Sequence, residues 1–522
     1  MIVIGNDRNY FTVYGILEHA AKVFGENEAV FDLNNRITFS QMKANVDKLA
    51  AALVRRGIKK TDRIAVSVPN WYETIVIFFA AAKIGAVLVP FNPKYKAHEV
   101  SHILRNSEPK ALIATEEFER NFGFKDALYF VPEIITVRSI INNFPSYDDL
   151  INDDTLENGQ EEDIDVNNDL FCILYTSGTT GVPKGVMITH RSVVQSANVM
   201  GIELRCSDKD VLILPSPLFH IFGMAVNLFN AAFTGTRIVL LEKFNPTEIL
   251  NLIEQEKVTI LNGVPTMFIK LLETKDFDHY DLSSLRTGVV GASPIPATKV
   301  KEIRDRMGIN LCQSFGITET ASVTLSPYDD EEKNIIETLG KPLPGVKIKI
   351  VDDNRMALPP WEKGEIAIHS FGRMKGYYKL PEQTAAVLDH EGWYYTGDLG
   401  MLDNQGNLKF IGRKKEVIIR GGFNIYPQEI EAVLSRHPKV VESAVIGLPH
   451  ETLGEIACAV IQLKDGKEGT EEEMKNYLKE QMATYKVPEK VLFTDKFPVT
   501  ASGKIQKMKL REEIAVKKSP TI

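Results

Sequence analysis

The sequence predicts an α/β protein of more than one domain. Strand-like and helix-like segments alternate with short connections, which favours right-handed crossovers and parallel sheets covered on both faces. That series occurs twice. After Gly340 the texture changes to short strands and turns, and from Lys415 a compact α+β module of about 110 residues follows, within the usual size of a domain. A chain of 522 residues also exceeds a single hydrophobic core. The expected organisation is a large N-terminal domain, 1–414, built from two similar doubly wound subdomains and a β-rich one, and a small α+β C-terminal domain, 415–522.

Between residues 40 and 57 the apolar side chains Met42, Val46, Leu49, Ala50 and Leu53 recur at helical spacing, with Ser40 placed as the N-cap. Residues 63–68 read as a strand, 72–83 as a helix, 86–89 as a strand, 91–93 as a turn, then a helix to Arg105 and a strand 110–114. The stretch 148–168, rich in Asp, Glu and Asn, reads as a solvated connector. Residues 170–174 are an apolar run bounded by turn residues, hence a buried strand.

The first series then returns. Segment 210–215 parallels 62–66, helix 219–233 parallels 72–83, strand 237–241 parallels 86–89, and Phe244, Asn245 and Pro246 repeat Phe91, Asn92 and Pro93. Helix 246–256 and strand 258–261 complete it. Gene duplication and the generic grammar of α/β chains would both produce this repeat. Two such units imply a crevice between them, with ligands at the carboxyl ends of strands. Strand 287–291 runs into Ala292 and Ser293, and strand 310–313 leads into Ser314 through Glu319, so small residues and one aromatic, Phe315, border that crevice. Further on come strands 346–351, 365–368, 408–411 and 417–419, a turn at Arg420, Gly421 and Gly422, a helix 427–435, strands near 443–447 and 456–464, a helix 471–483 and a strand 491–493.

Bulk composition limits the partners. The formal charge of −8 disfavours a nucleic-acid or anionic membrane surface, and 44% hydrophobic residues is ordinary for a globular chain. Cys172, Cys206, Cys312 and Cys458 lie far apart without metal-ligand spacing, so buried reduced thiols are expected. The N-terminus lacks a basic region followed by a long apolar stretch, the apolar stretch 74–91 is broken by Lys83 and Gly85, and the C-terminus is not a Ser-Lys-Leu ending. A cytoplasmic location with no transmembrane segment is the simplest expectation. The sequence is compatible with a homodimer and does not fix the oligomeric state.

The most informative stretch follows the strand at 170–174: Tyr175, Thr176, Ser177, Gly178, Thr179, Thr180, Gly181, Val182, Pro183, Lys184 and Gly185. Small hydroxyl and glycine residues let backbone N–H groups wrap an anion, and one lysine adds a compact positive charge. Lys184 follows a proline and precedes a glycine, so this is not the Gly-Lys-Ser/Thr loop of the commonest phosphate binders. A plain surface turn of Gly, Ser and Thr is the bland alternative.

Further clusters carry chemistry only in combination. Thr318 and Glu319 at a strand end offer a hydroxyl for phosphate and a carboxylate for a hard cation, although such pairs more often start helices. Gly397 and Asp398 put an acceptor after a tight turn, suited to ribose hydroxyls or to an ordinary hairpin. Arg413 would grip the same sugar or face solvent. Lys504, on a glycine loop near the C-terminus, reads in isolation as a solvated charge.

In this order and spacing the clusters closely resemble the adenylate-forming superfamily, in its acyl-CoA synthetase branch, from Thr38 to Lys504. The resemblance implies an enzyme that activates a carboxylic acid with ATP, forming acyl-adenylate and pyrophosphate, and then transfers the acyl group to coenzyme A. It implies that Thr176, Ser177, Gly178, Thr179, Thr180 and Lys184 hold the β- and γ-phosphates, that Glu319 binds Mg²⁺ and that Thr318 contacts the α-phosphate. Gly291, Ala292 and Ser293 would flank adenine, Phe315 before Gly316 would stack on it, and Asp398 and Arg413 would hold the ribose. His220 resembles the residue beside the carboxylate and thiol passage, and would equally serve as a helix-start histidine. Lys504 would bridge carboxylate and α-phosphate, and a mobile C-terminal domain would rotate about Lys415 to exchange Lys504 for the Gly421–Gly422 turn, whose missing side chains leave room for pantetheine. Two positions depart from the family pattern: Phe315 stands where tyrosine is commoner, and Ser293 where alanine is frequent.

The segments expected to line the acyl pocket, 219–226, 262–268 and 287–292, contain no Arg, Lys, Asp or Glu. A second buried charge would go unpaired there, which favours a monocarboxylic fatty acid of medium or long chain, with an aryl or cinnamate-type acid next. The rival readings are a ligase handing acyl-adenylate to a carrier protein, a luciferase-like monooxygenase, and a non-catalytic nucleotide or acyl sensor.

Overall fold

The computed structural model describes residues 12–141, 143–153, 162–176, 183–499 and 505–516. Four sheets organise them. In the first, strands Leu170–Thr176, Val87–Pro90, Arg63–Ser67, Ala111–Ala114 and Glu133–Thr136 lie parallel in that order, and Lys184–Thr189 and then Gly376–Tyr377 extend the sheet antiparallel. In the second, Asn310–Ile317, Thr287–Val290, Ile260–Leu261, Val211–Leu214, Arg237–Leu240 and Glu28–Phe31 run parallel, with antiparallel strands at both edges.

The repeat seen in the sequence is a repeat of topology. Val87–Pro90, Arg63–Ser67 and Ala111–Ala114 stand in the same order, in parallel, as Arg237–Leu240, Val211–Leu214 and Ile260–Leu261. Helix Tyr72–Lys83 is buried along nearly its whole surface, because it packs where the two units share one core: Phe79 and Phe171 each meet Phe229 edge-on, at 5.5 and 5.4 Å. Its last residue, Lys83, is buried too. Its Nζ is 2.8 Å from Asp47 Oδ1, which also accepts from the Tyr14 hydroxyl at 2.7 Å, while Lys43 holds the other oxygen at 2.7 Å. Burial pushes the Asp47 carboxyl up, but these three partners outweigh it and hold it below the ordinary range.

A four-stranded antiparallel sheet, Lys347–Val351, Gly364–His369, Tyr394–Leu402 and Leu408–Arg413, follows. From Ile418 onward a separate sheet packs against helices Pro427–Leu434 and Glu471–Gln481 around Ile418, Ile430, Leu434, Val445 and Met474, an apolar cluster drawn only from this part of the chain. Cys172, Cys312 and Cys458 are buried and Cys206 is partly so, and burial pushes the Cys206 and Cys312 thiols up to about 11 and about 12. No helix among the described residues is long and apolar enough to cross a membrane.

Three local expectations are corrected. The helix expected from Ser40 is Phe39–Arg55 and its cap is Thr38, not Ser40: Thr38 accepts from Gln41 N, and the Gln41 side chain accepts from Thr38 N. The helix expected over 219–233 is a π-helix, Phe222–Phe229, followed by a short α-helix, Asn230–Thr234. The wide turn is accompanied by Asn227 Nδ2 donating to Phe222 O, and a Cβ on Gly223 would stand 2.2 Å from Pro217 O. The strand expected to end at Gln313 continues to Ile317, because after leaving its parallel partner it pairs antiparallel with Ala321–Leu325.

Candidate active site

Strands Leu170–Thr176 and Lys184–Thr189 pair antiparallel, with Thr176 opposite Lys184, the two described ends of the glycine- and hydroxyl-rich stretch. Ser177, Gly178, Thr179 and Thr180 fall outside the described residues, as does Lys504. On either side of residues 500–504, Val499 pairs with Ile505, and Gln506 donates to Pro498 O and Val499 O.

The turn between Asn310–Ile317 and Ala321–Leu325 carries Thr318 and Glu319. The Glu319 carboxylate accepts a hydrogen bond from the Tyr377 hydroxyl at 3.0 Å, and its backbone carbonyl accepts from Met374 N at 2.7 Å. Tyr377 also lies under Lys184, whose Nζ is 4.9 Å from the ring centroid. The Tyr394 hydroxyl is 3.3 Å from that of Tyr377. Burial, and then the Glu319 charge, push both phenols well above their ordinary range.

The end of strand Thr287–Val290 delivers Gly291, Ala292 and Ser293. Ala292 is left-handed, φ 64°, a conformation costly for a residue with a Cβ and frequent at functional turns. Gly291 donates to Gly263 O, which joins this turn to the end of strand Ile260–Leu261. Gly316 lies too close to the opposite strand for a side chain, since a Cβ would meet Ala321 O at 2.5 Å. Phe315, expected to offer a stacking face, is 8% exposed and packs with Phe410 at 6.1 Å between centroids. Asp398 and Arg413 are cross-strand partners, with Arg413 Nε 3.2 Å from Asp398 Oδ1. Gly397 N donates to Glu365, whose other oxygen meets Lys414 at 3.3 Å.

His220 begins the turn before the π-helix, its N donating to Pro217 O and its ring 4.9 Å from that of Phe219. The π-helix is tied to the sheet by a buried amide pair: Asn262 Nδ2 donates to Asn227 Oδ1 at 3.0 Å, and Asn262 Oδ1 accepts from Val289 N at 2.8 Å. Behind Gly263 a tight apolar crevice, too narrow as it stands to admit a water molecule, runs between Pro215, Leu261, Met267, Phe268 and Leu271. A larger hollow of about 340 Å³, beside Phe277 and Arg306, contains none of the expected site residues.

Lys415 sits in the one-turn helix Lys414–Glu416 that leaves strand Leu408–Arg413. Gly421 and Gly422, φ 55° and 87°, make the hairpin turn between Ile418–Arg420 and Phe423–Ile425. Both positions need a positive φ, and no neighbour lies within 4 Å of a Cβ placed on Gly422.

Comparison with known proteins agrees with this arrangement. Residues 17–378 match the model of the AMP-binding enzyme family, and 429–504 match that of the AMP-binding enzyme C-terminal domain. The chain belongs to this family. YngI of Bacillus subtilis is 37% identical over 96% of this chain and 97% of its own length, and the human mitochondrial medium-chain acyl-CoA ligase ACSF2 is 34% identical over 97% and 88%. Among solved structures, ATP-bound MatB from Rhodopseudomonas palustris superposes with a TM-score of 0.87 at 30% identity, covering 96% of this chain and 99% of its own. The anthranilate CoA ligase AuaEII in complex with anthranoyl-AMP gives 0.91 at 28%, covering 98% and 99%. The chain is an AMP-forming acyl-CoA ligase of the AMP-binding enzyme family.

The fold brings Lys184, Glu319 and Tyr377 together, and pairs Asp398 with Arg413 on a separate sheet. Tyr377, Tyr394, Asn227, Asn262 and Glu365 were not singled out by the sequence. Gly376 ahead of Tyr377 was the one local signal, since its φ of 146° and a Cβ only 2.8 Å from Thr384 require glycine.

Proposed function

We propose that this acyl-CoA ligase activates a monocarboxylic fatty acid of medium or long chain. In the first half-reaction a carboxylate oxygen attacks the α-phosphorus of ATP and pyrophosphate leaves. In the second the thiol sulfur of CoA attacks the acyl carbonyl, and AMP leaves with the bonding pair. Lys184 and Thr176, with residues 177–180, hold the β- and γ-phosphates, Thr318 contacts the α-phosphate, Asp398 and Arg413 hold the ribose, and Gly291, Ala292, Ser293 and Phe315 border adenine. Lys504 neutralises charge between the two reacting anions. Preorganised donors of this kind are typically worth about 10²–10³ in rate each.

Glu319 suits Mg²⁺. Its carboxylate is half-buried, one oxygen is fixed by Tyr377, and no group of three His, Cys, Asp or Glu side chains gathers among the described residues. A cation held by nucleotide phosphates and one protein carboxylate fits that donor set, and it would supply charge neutralisation at the phosphates.

One observation carries the substrate reading: no Arg, Lys, Asp or Glu stands in the π-helix or among the residues lining the crevice behind Gly263, and the buried amides of Asn227 and Asn262 are bonded to each other. A second carboxylate or an ammonium on the substrate would find no counter-charge there. The medium-chain activity named for human ACSF2 supports this reading, while the anthranoyl-AMP complex of AuaEII favours an aryl acid as the second. The test is pyrophosphate release across straight-chain acids of increasing length, dicarboxylic acids and aryl acids, with and without CoA. CoA-stimulated turnover that peaks with an unbranched monocarboxylic acid is expected; preference for an aryl or dicarboxylic acid would refute it.

A further inference from the structure

Lys184 and Glu319, the cation and the carboxylate read above as flanking the ATP phosphates, come from different sheets. The segment that stitches them together is 374–378. Tyr378 N donates to Gly185 O at 2.7 Å and Lys375 N to Met187 O at 2.9 Å, fixing it to the Lys184 strand, while Met374 N donates to Glu319 O at 2.7 Å. Tyr377 N is itself held by Thr384 Oγ1 at 2.9 Å. The one side chain of this segment that reaches both charges is Tyr377.

Its hydrogen bonding has a direction. An ionised carboxylate only accepts, so the single Tyr377 proton goes to Glu319 Oε1 at 3.0 Å, and at 3.3 Å the Tyr394 hydroxyl must then donate to the Tyr377 oxygen. Both phenols are buried, 6% and 3% exposed, which leaves neither free to rotate toward water. The other face of Tyr377 works on the cation: Lys184 Nζ lies 4.9 Å from the ring centroid, within the range of a cation–π contact.

We infer that Tyr377 is a positioning residue of the nucleotide site: its hydroxyl, oriented by Tyr394, aims the Glu319 carboxylate, and its ring supports Lys184. One side chain thereby sets the separation of the two charges between which the phosphates lie. The inference rests on the proposed roles of Lys184 and Glu319.

The hydroxyl and the ring are separable. Tyr377→Phe keeps the ring and frees Glu319, so the Mg²⁺ concentration for half-maximal pyrophosphate release should rise by about 10–100-fold, the usual cost of losing a partner that orients a metal ligand. The KM for the carboxylic acid should stay unchanged. Calorimetric binding of a non-hydrolysable ATP analogue should show the same loss with Mg²⁺ present and little change without it. Tyr394→Phe should give a smaller shift in the same direction, and Tyr377→Leu should also weaken metal-free nucleotide binding. A merely structural tyrosine would lower the thermal midpoint and leave the Mg²⁺ dependence of the folded enzyme untouched; that result with Tyr377→Phe overturns the inference. Glu319→Gln and Lys184→Ala are measured alongside. If these leave adenylation intact, the reading of the site itself falls; if they abolish it while Tyr377→Phe behaves as wild type, only the positioning role falls.

Discussion

Lys363 Nζ lies 3.0 Å from Glu429 Oε1, joining the turn before strand Gly364–His369 to helix Pro427–Leu434 of the C-terminal module. Lys363 also sits 4.9 Å from the centroid of Tyr426, and Lys486 holds the other oxygen of Glu429. Burial pushes the Glu429 carboxyl up, yet the two lysines pull it down further, so it stays ionised through neutral pH. If the C-terminal module turns about Lys415 between the two half-reactions, as the family resemblance implies, the bridge stabilises this arrangement of the two parts over the turned one. An ion pair at such exposure contributes about 0.2–1 kcal/mol, which corresponds to at most about fivefold in the equilibrium between orientations. Lys363→Ala should therefore change acyl-adenylate formation and thioester formation from supplied acyl-adenylate in opposite directions. Equal changes in both half-reactions would mean that the pair does not bias domain rotation.

The Asn227–Asn262 pair should be costly to break from one side. Asn262→Ala leaves both the Val289 N–H and Asn227 Oδ1 without their partners in a dry setting, a loss of about 1–3 kcal/mol for each stranded group. Because Asn227 also donates to Phe222 O, the π-helix that follows His220 loses its anchor. We expect a lower thermal midpoint together with a reduced kcat, whereas Asn262→Asp, which keeps one acceptor for Val289 N, should recover stability more than turnover. Unchanged kcat in Asn262→Ala would detach the amide pair from the site.

Much of the fold was legible because its determinants are local. An apolar stretch broken at Lys83 and Gly85 gave helix Tyr72–Lys83, and the recurrence of Phe91, Asn92 and Pro93 as Phe244, Asn245 and Pro246 marked two units whose strands take the same order. The errors arose where a partner distant in sequence decides. Strand Asn310–Ile317 outruns its apolar stretch because a second strand pairs with its far half, and a π-turn cannot be told from an α-turn by the same apolar residues. Thr38 wins over Ser40 as a cap because Gln41 stands three residues after Thr38 and completes the reciprocal pair. At the site, Asp398 and Arg413 were found by motif and lie in register, but Tyr377 had no motif spacing to announce it: its meaning depends on Lys184 and Glu319 folding to either side.

His190 should give the protein an acid-sensitive stability. It is fully buried, its Nδ1 accepts from Val13 N at 3.3 Å, and Phe171 packs edge-on at 5.5 Å. Burial is the main cause that lowers its pKa to about 4, with Lys60 acting the same way and Asp169 opposing. Between pH 4 and the ordinary 6.5 the unfolded chain binds a proton that the folded one refuses, so stability is complete above pH 6.5 and falls as pH drops toward 4. A displacement of this size corresponds to about 3 kcal/mol. Comparing thermal midpoints at pH 7.5 and 4.5, the wild-type loss should exceed that of His190→Gln, since all other titrations are common to both. Identical losses would show that His190 is not the group responsible.

The crevice behind Gly263, closed as it stands, should widen to take the acyl tail and act as the ruler for chain length. A Cβ at Gly263 would stand 3.3 Å from the Phe268 ring and 3.5 Å from Met267 Sδ, so the mouth has no room for a larger residue without displacing one of them. Gly263→Leu would plug it, sparing short acids and excluding long ones. Met267→Ala removes the flexible thioether that narrows the passage and extends the apolar wall available to the acyl tail. Each further methylene that becomes buried is worth about 0.8 kcal/mol, or about fourfold in kcat/KM, so the optimum should move to longer acids in Met267→Ala and to shorter ones in Gly263→Leu. Profiles of kcat/KM against chain length for the three proteins decide it. If both variants keep the wild-type optimum while losing activity evenly, the acyl tail lies elsewhere and the selectivity must be sought along the π-helix, beside Phe222 and Val226.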